Sequence, residues 1–348
     1  MKVVNGIAVE RLCTETHLGA GVVRAVGAGV EDLAEGDHVI LSYNYCNSCH
    51  SCRTSRPYHC SEIYARNFGG KRSNGSSTII SEPEFVSTCF FGQSSFCNPT
   101  IAQAASCVKI DKALPLDIMC AMGCGFQTGA GSIYNIIKPQ AREVRFLAVF
   151  GMGGVGSAAM MAARNIANQN PGTLEALVAV DIDDSRLALA QELGATHSIN
   201  STKVDLEKVL AEITNGHGLD AAVDCTGIVP VINSMIDMVG AGGLTVTVGA
   251  PAPGSTASVD IFNMLIQCKT YVGCHQGNSY AKEVRLLLSI FPKILANLYH
   301  EKFIPFLAKE YSKGNLPLDK LQRTYPIENI NIACEDMLKG STIKPVLL

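Results

Sequence analysis

The sequence predicts an α/β fold built on a doubly wound parallel sheet. Two observations carry that prediction. A short apolar run over residues 145–150 leads into a glycine turn and then into an Ala- and Met-rich helix. Beyond it, further short apolar runs alternate with helical segments as far as Gly273. Strands that alternate with helices lie parallel, because each crossover helix carries the chain back to the same end of the sheet. A third observation, four closely spaced cysteines, marks a separate region ahead of that sheet.

The elements follow in order. Residues 145–150 are too few for a helix and too uniformly apolar for a half-exposed strand, so they read as a buried parallel strand. Gly151, Met152, Gly153, Gly154, Val155 and Gly156 then form a G-x-G-x-x-G turn. The first glycine permits the tight turn, the second lets backbone approach a pyrophosphate, and the third lets the helix pack on the strand. The helix over 157–166 offers its free N–H groups and partial positive charge to those phosphates. A strand over 176–180 ends at Asp181. A carboxylate there accepts hydrogen bonds from the adenosine ribose hydroxyls and repels a 2′-phosphate, which favours NAD over NADP. The alternative reading makes Asp181 a turn or N-cap residue before a helix over 185–193. A strand over 219–224, a helix over 229–239, a strand over 243–249 and a last strand over 269–273 complete the sheet. This domain runs from residue 126 to 274.

Composition narrows the function. With 348 residues, 47% of them hydrophobic, the chain can fill two ordinary cores. Charged residues are 17%, the net charge is −3 and no basic patch stands out, so nucleic acid is not an expected partner. No apolar run is long enough to span a bilayer, and the charged first residues lack the apolar core of a secretory signal. Fourteen cysteines without such a signal point to a reducing, cytoplasmic setting, with thiols that bind metal or fill cores.

Cys46, Cys49, Cys52 and Cys60 stand in the pattern C-x2-C-x2-C-x7-C. Four soft thiolates this close can close a tetrahedral shell around one Zn²⁺, and a closed shell is structural rather than catalytic. The residues between them are polar or turn-forming, as a metal-tied surface loop requires. The alternative is a disulfide cluster; the reducing setting and the tight spacing favour metal.

These pieces resemble the zinc-containing, medium-chain alcohol dehydrogenases over nearly the whole chain. The matching residues are Gly19–Val23, Glu35–Val39, the cysteine tetrad, the stretch Gly123-Cys124-Gly125-Phe126-Gln127-Thr128-Gly129, the glycine turn and Ile343–Leu347. Residues Phe90–Phe96 resemble the aryl- and benzyl-alcohol branch. The resemblance implies a Rossmann nucleotide domain inserted into a GroES-like, β-rich substrate domain made of residues 1–125 and 275–348. It implies NAD, a structural zinc and a second zinc, hydride transfer between a primary or aromatic alcohol and its aldehyde, and a homo-oligomer with no nucleic-acid or membrane partner. It places Cys124 and His17 as ligands of the second zinc and Thr128 at the nicotinamide. It also places Arg186 near the adenosine ribose and Lys344 near the pyrophosphate.

The chain departs from the family in three places. Only sixteen residues precede His17, so it reads as N-terminally truncated, without the first cysteine ligand and the proton-relay residues. Cys13 does not match that cysteine, and Leu18 stands where the family has an acid. Two ligands make an incomplete site, so a crippled, cofactor-binding remnant of the family is the alternative to a working enzyme. Missing strands imply an open edge in the substrate-domain sheet. Residues 284–302 form an unusual insert, read as a translated intron in preference to an inserted helix broken at Pro292. Alcohol oxidation at ordinary enzyme rates would sink the crippled-site reading, and a transcript without a spliced form would sink the intron.

Overall fold

The structure is a computed structural model, and it describes residues 6–15, 18–72, 74–77, 87–93, 95–96, 98–281 and 303–348. His17 and residues 284–302, both singled out above, lie outside the described residues. The strands in chain order are β1 (Gly6–Glu15), β2 (Leu18–Val26), β3 (His38–Leu41), β4 (Thr100–Gln103), β5 (Cys107–Ile110), β6 (Phe146–Phe150), β7 (Ala176–Asp181), β8 (His197–Asn200), β9 (Leu219–Asp224), β10 (Val239–Thr247), β11 (Thr270–Gly273), β12 (Gln322–Tyr325) and β13 (Lys344–Leu347). The chain divides into two compact units. One comprises Met1–Gln127, Ser279–Gly314 and Leu318–Leu348; the other comprises Thr128–Asn278 and Asn315–Pro317.

The second unit holds a six-stranded sheet in the order β11-β10-β9-β6-β7-β8, with every pairing parallel. All five residues of β6 and all six of β7 are buried, which is why they read as unbroken apolar runs. Phe146, Ala148 and Phe150 of β6 meet Val178 and Val180 of β7 in one core cluster with Ile199, Leu219 and Met235. The strand order reverses beside β6, which pairs with both β7 and β9, and ligands of such sheets bind at that switch point.

Expectation and structure agree closely here, with informative differences. The helix after the glycine turn spans Gly154–Gln169, starting three residues earlier than predicted, because the turn's last glycines are already helical. The strand β10 starts at Val239 rather than 243, with a register shift between Val239 and Leu244 where it passes Gly240, Gly242 and Gly243. The strand β8 and the helix Leu206–Ile213 were not predicted. β8 pairs on one side only and reads His-Ser-Ile-Asn, so it shows neither an apolar run nor a clean alternation.

The first unit is built on a seven-stranded sheet, β12-β13-β1-β2-β3-β5, with β4 also paired to β1. Its meander β1-β2-β3 is antiparallel, and β13 returns from the far end of the chain to pair antiparallel with β1. Among the described residues β1 therefore has strand partners on both sides, and the ends of the ordered path are β12 and β5. Val23, Leu33, Val39, Leu41, Ala102 and Cys107 form its core cluster. Beyond β3 the chain continues through residues 42–45 into the cysteine loop, so the sheet core and the tetrad share one stretch of backbone.

Candidate functional site

The tetrad forms as the spacing predicts. The ligand atoms of Cys46, Cys49, Cys52 and Cys60 lie within 4.8 Å of one another, the one such group among the described residues. None of the four is in a disulfide, and Cys46 Sγ lies 3.8 Å from Cys52 Sγ. A short helical turn, His50–Arg53, brings Cys49 and Cys52 to the same side. Backbone N–H groups point at the sulfurs: Cys49 N donates to Cys46 Sγ at 3.2 Å and Glu62 N to Cys60 Sγ at 3.4 Å. Such donors favour thiolate. Hydrogen bonds from the N–H groups of Cys52 and Ser61 pull the Cys49 thiol down to about 5. Burial, then the thiols of Cys49 and Cys60, push Cys52 up. Four clustered thiols cannot all ionise without a cation among them, and these four would hold Zn²⁺ as thiolates, with the ion's charge offsetting their mutual repulsion. The donor set and its spacing fit zinc.

The nucleotide turn is also assembled. Gly151 has φ +88°, and a Cβ there would meet Thr226 Cγ2 at 2.8 Å, so only glycine fits. Its N–H donates to Val180 O at 2.8 Å. A Cβ on Gly156 would collide with the carbonyl oxygen of Gly151, whereas one on Gly153 would meet nothing within 4 Å. Gly153 thus leaves open space in front of the helix N-terminus, where Gly154 and Val155 form the first turn.

Asp181 ends β7 and is buried, and its carboxylate is committed to backbone. Oδ2 accepts from Met152 N at 2.6 Å, while Oδ1 accepts from Ile182 N at 2.7 Å and Asp183 N at 3.0 Å. The helix cap is a different residue: Asp183 accepts from Ser185 N and Arg186 N ahead of the helix Asp184–Glu192. A carboxylate accepts about four hydrogen bonds, so Asp181 retains acceptor capacity. Arg186 Nε, in that helix's first turn, is buried with no hydrogen-bond partner, an orphaned donor. These features fit a dinucleotide with its adenosine end at Asp181.

The remaining predicted residues are placed as follows. Cys124, half-buried, sits between a 3-10 turn over Cys120–Gly123 and the helix Gly125–Gly131 in the first unit. Thr128 is buried and begins the second unit; next to it, a Cβ on Gly129 would collide with the Val155 carbonyl. Lys344 begins β13 in the first unit, paired with Gln322. Sequence reasoning missed Asp224 at the end of β9. Its Oδ1 accepts from Thr226 N at 2.8 Å, Thr226 Oγ1 at 2.7 Å and Gly227 N at 3.2 Å, holding Thr226 against Gly151. A buried carboxylate at a parallel strand's end, two residues before a Thr-Gly pair, was the available signal.

A Rossmann-like parallel sheet with a glycine turn, joined in one chain to a β-rich unit carrying a four-thiol metal site, defines a class: the zinc-binding dehydrogenases. Residues 154–291 match the family described as Zinc-binding dehydrogenase, and residues 2–112 match the Alcohol dehydrogenase GroES-like domain. The geraniol dehydrogenase of Castellaniella defragrans is 33% identical over 334 residues, covering 95% of this chain and 82% of that protein. The crystal structure of benzyl alcohol dehydrogenase from Acinetobacter calcoaceticus shares 33% identity with a TM-score of 0.86, over 100% of this chain and 92% of that one. An alcohol dehydrogenase zinc-binding domain protein from Burkholderia ambifaria shares 36% with a TM-score of 0.84, over 99% and 91%. The chain belongs to the zinc-type alcohol dehydrogenase family and is an enzyme of that family.

Proposed function

We propose that the chain is an NAD-dependent dehydrogenase that interconverts a primary or aromatic alcohol and its aldehyde. The observation that carries the cofactor is the Asp181 carboxylate at the end of β7, tied to the glycine turn through Met152 N. The names of the geraniol and benzyl alcohol dehydrogenases support the substrate class. The ring cluster of Phe68, Phe90 and Phe91, with centroids 5.3–5.8 Å apart, keeps the aromatic character of the Phe90–Phe96 stretch.

In this reading the Gly154–Gln169 helix presents its N-terminal N–H groups to the pyrophosphate over Gly153, and Asp181 orients the ribose. Arg186 Nε finds its partner on the adenosine side. Cys124 and His17 would hold the second metal, and Thr128 would border the nicotinamide. When bound, zinc supplies Lewis acidity to the alcohol oxygen and the nicotinamide accepts hydride. Twelve free cysteines among the described residues suit a reducing compartment, and we assign the chain to the cytoplasm. No helix among the described residues is long and apolar enough to cross a membrane.

The test uses the zinc-loaded chain. NADH should bind at least about tenfold more tightly than NADPH, because a 2′-phosphate meets the Asp181 charge. Benzyl alcohol should be oxidised with NAD. Equal binding of the two cofactors would remove the NAD assignment. NADH binding without turnover of any primary or aromatic alcohol would favour the cofactor-binding remnant.

The partner in this reading is a second copy of the chain. The strand β11 is an edge of its sheet, and the adjoining helix Ile261–Ile266 leaves Ile261, Phe262, Leu265 and Ile266 60–72% exposed. A two-fold axis through such a patch is self-complementary and covers an open edge. Light scattering should give at least a dimer, and Phe262→Asp should give monomer; a monomeric wild type at micromolar concentration would end this assignment.

A further inference from the structure

Cys124 is held from behind by a buried triangle of hydrogen bonds. It leaves helical geometry at φ −144° and ψ −78°, between two glycines. Its orientation is decided one residue earlier, because the Gly123 carbonyl and the Cys124 N–H belong to one rigid peptide plane. Two side-chain donors converge on that carbonyl. Ser42 Oγ donates to Gly123 O at 2.8 Å, and Gln127 Nε2 donates to the same oxygen. Gln127 Nε2 also donates to Ser42 Oγ at 2.8 Å, which closes the triangle. The amide cannot flip without loss, since its Oε1 accepts from Ser279 Oγ at 3.1 Å. Ser279 is itself pinned through its carbonyl, which accepts from Tyr43 OH at 2.7 Å.

Gln127 and Ser42 are 0% exposed, and Ser279 and Tyr43 are 1% exposed. A leucine would fill the Gln127 volume with no polar atoms to satisfy. A buried amide with three partners is stiff and oriented, and the element that it orients is the Gly123–Cys124 peptide. We propose that Gln127 is the positioning residue of Cys124: with Ser42 it locks that peptide and so fixes the direction of the Cys124 thiol. The inference rests on the reading of Cys124 as a ligand of the second metal.

The test follows iodoacetamide alkylation of each cysteine in the zinc-loaded full chain by peptide mass spectrometry, together with zinc release to a chromogenic chelator. Gln127→Leu should raise the Cys124 alkylation rate about tenfold, in step with the loss of metal affinity that follows removal of a partner behind a metal ligand. Ser42→Ala should act in the same direction. Cys46, Cys49, Cys52 and Cys60 should keep their wild-type rates. Gln127→Glu should exceed Gln127→Leu at neutral pH, because a carboxylate cannot donate and draws the Ser42 hydroxyl away from Gly123 O. Lowering the pH until that carboxyl protonates should narrow its gap from wild type, a recovery that a packing role does not give. If all five cysteines accelerate together, Gln127 serves stability only and the proposal falls. It falls as well if Gln127→Leu and Ser42→Ala leave Cys124 and zinc release unchanged. Cys124→Ser separates the two failures: if that variant keeps every zinc of the wild type, the ligand reading itself is wrong.

Discussion

Stripping zinc from the tetrad is expected to unfold the loop over residues 46–60 and to cost the chain about 4–8 kcal/mol of stability. The reason is the composition of that loop. Its helical turn His50–Arg53 buries no residue, and the following 3-10 turn Pro57–His59 buries only Pro57. With little apolar burial beyond Pro57 and Cys60, the metal is the main term that offsets the entropy of fixing the loop, about 1–2 kcal/mol per residue. Isolated zinc-finger peptides draw about 10–16 kcal/mol from their metal; the loss here is smaller because the β-sheet keeps its own core. Calorimetry with and without dipicolinate should show the first unit melting early, with four thiols newly reactive. Cys46→Ser should reproduce that shift without chelator. An unchanged melting curve with four reactive thiols would mean that the loop stands without metal.

The second large effect is a contrast between two glycines of one turn. Gly156→Ala should cost about 3 kcal/mol of stability as well as NADH binding, because the new methyl meets the Gly151 carbonyl, a backbone atom that cannot swing away. Gly153→Ala should leave the melting temperature within error, since nothing lies within 4 Å of its Cβ and its φ of −72° suits alanine. It should nevertheless weaken NADH about 30–150-fold, the equivalent of 2–3 kcal/mol of overpacking against a pyrophosphate. Fluorescence titration beside thermal melts measures both. NADH binding by Gly153→Ala at wild-type strength would remove the pyrophosphate from the space over Gly153.

These features differ in how plainly the sequence displays them. The turn, β6, β7, β9 and the tetrad are local: their signals sit within a few consecutive residues, and burial on both faces turns parallel strands into apolar runs. The edge strand β8 lacks that signal because one side has no partner. The helix cap was the harder distinction, since Asp181 and Asp183 both precede the helix and only geometry gives the cap to Asp183 and the glycine turn to Asp181. The triangle behind Cys124 was not legible at all. Gln127 reads as one polar residue in a family stretch, and its partners Ser42 and Ser279 lie 85 and 152 residues away. Long-range polar contacts leave no period in a sequence.

The bond from Met152 N to Asp181 Oδ2 has an evolutionary consequence. The carboxylate that we propose repels a phosphorylated ribose also braces the glycine turn through Met152. A drift toward NADP by replacing Asp181 with a small neutral residue would also unfasten Met152 and loosen the grip on every dinucleotide, preferred or not. Under that proposal cofactor preference is inherited together with loop rigidity, and changing the first requires a new acceptor for Met152 before the old one is given up.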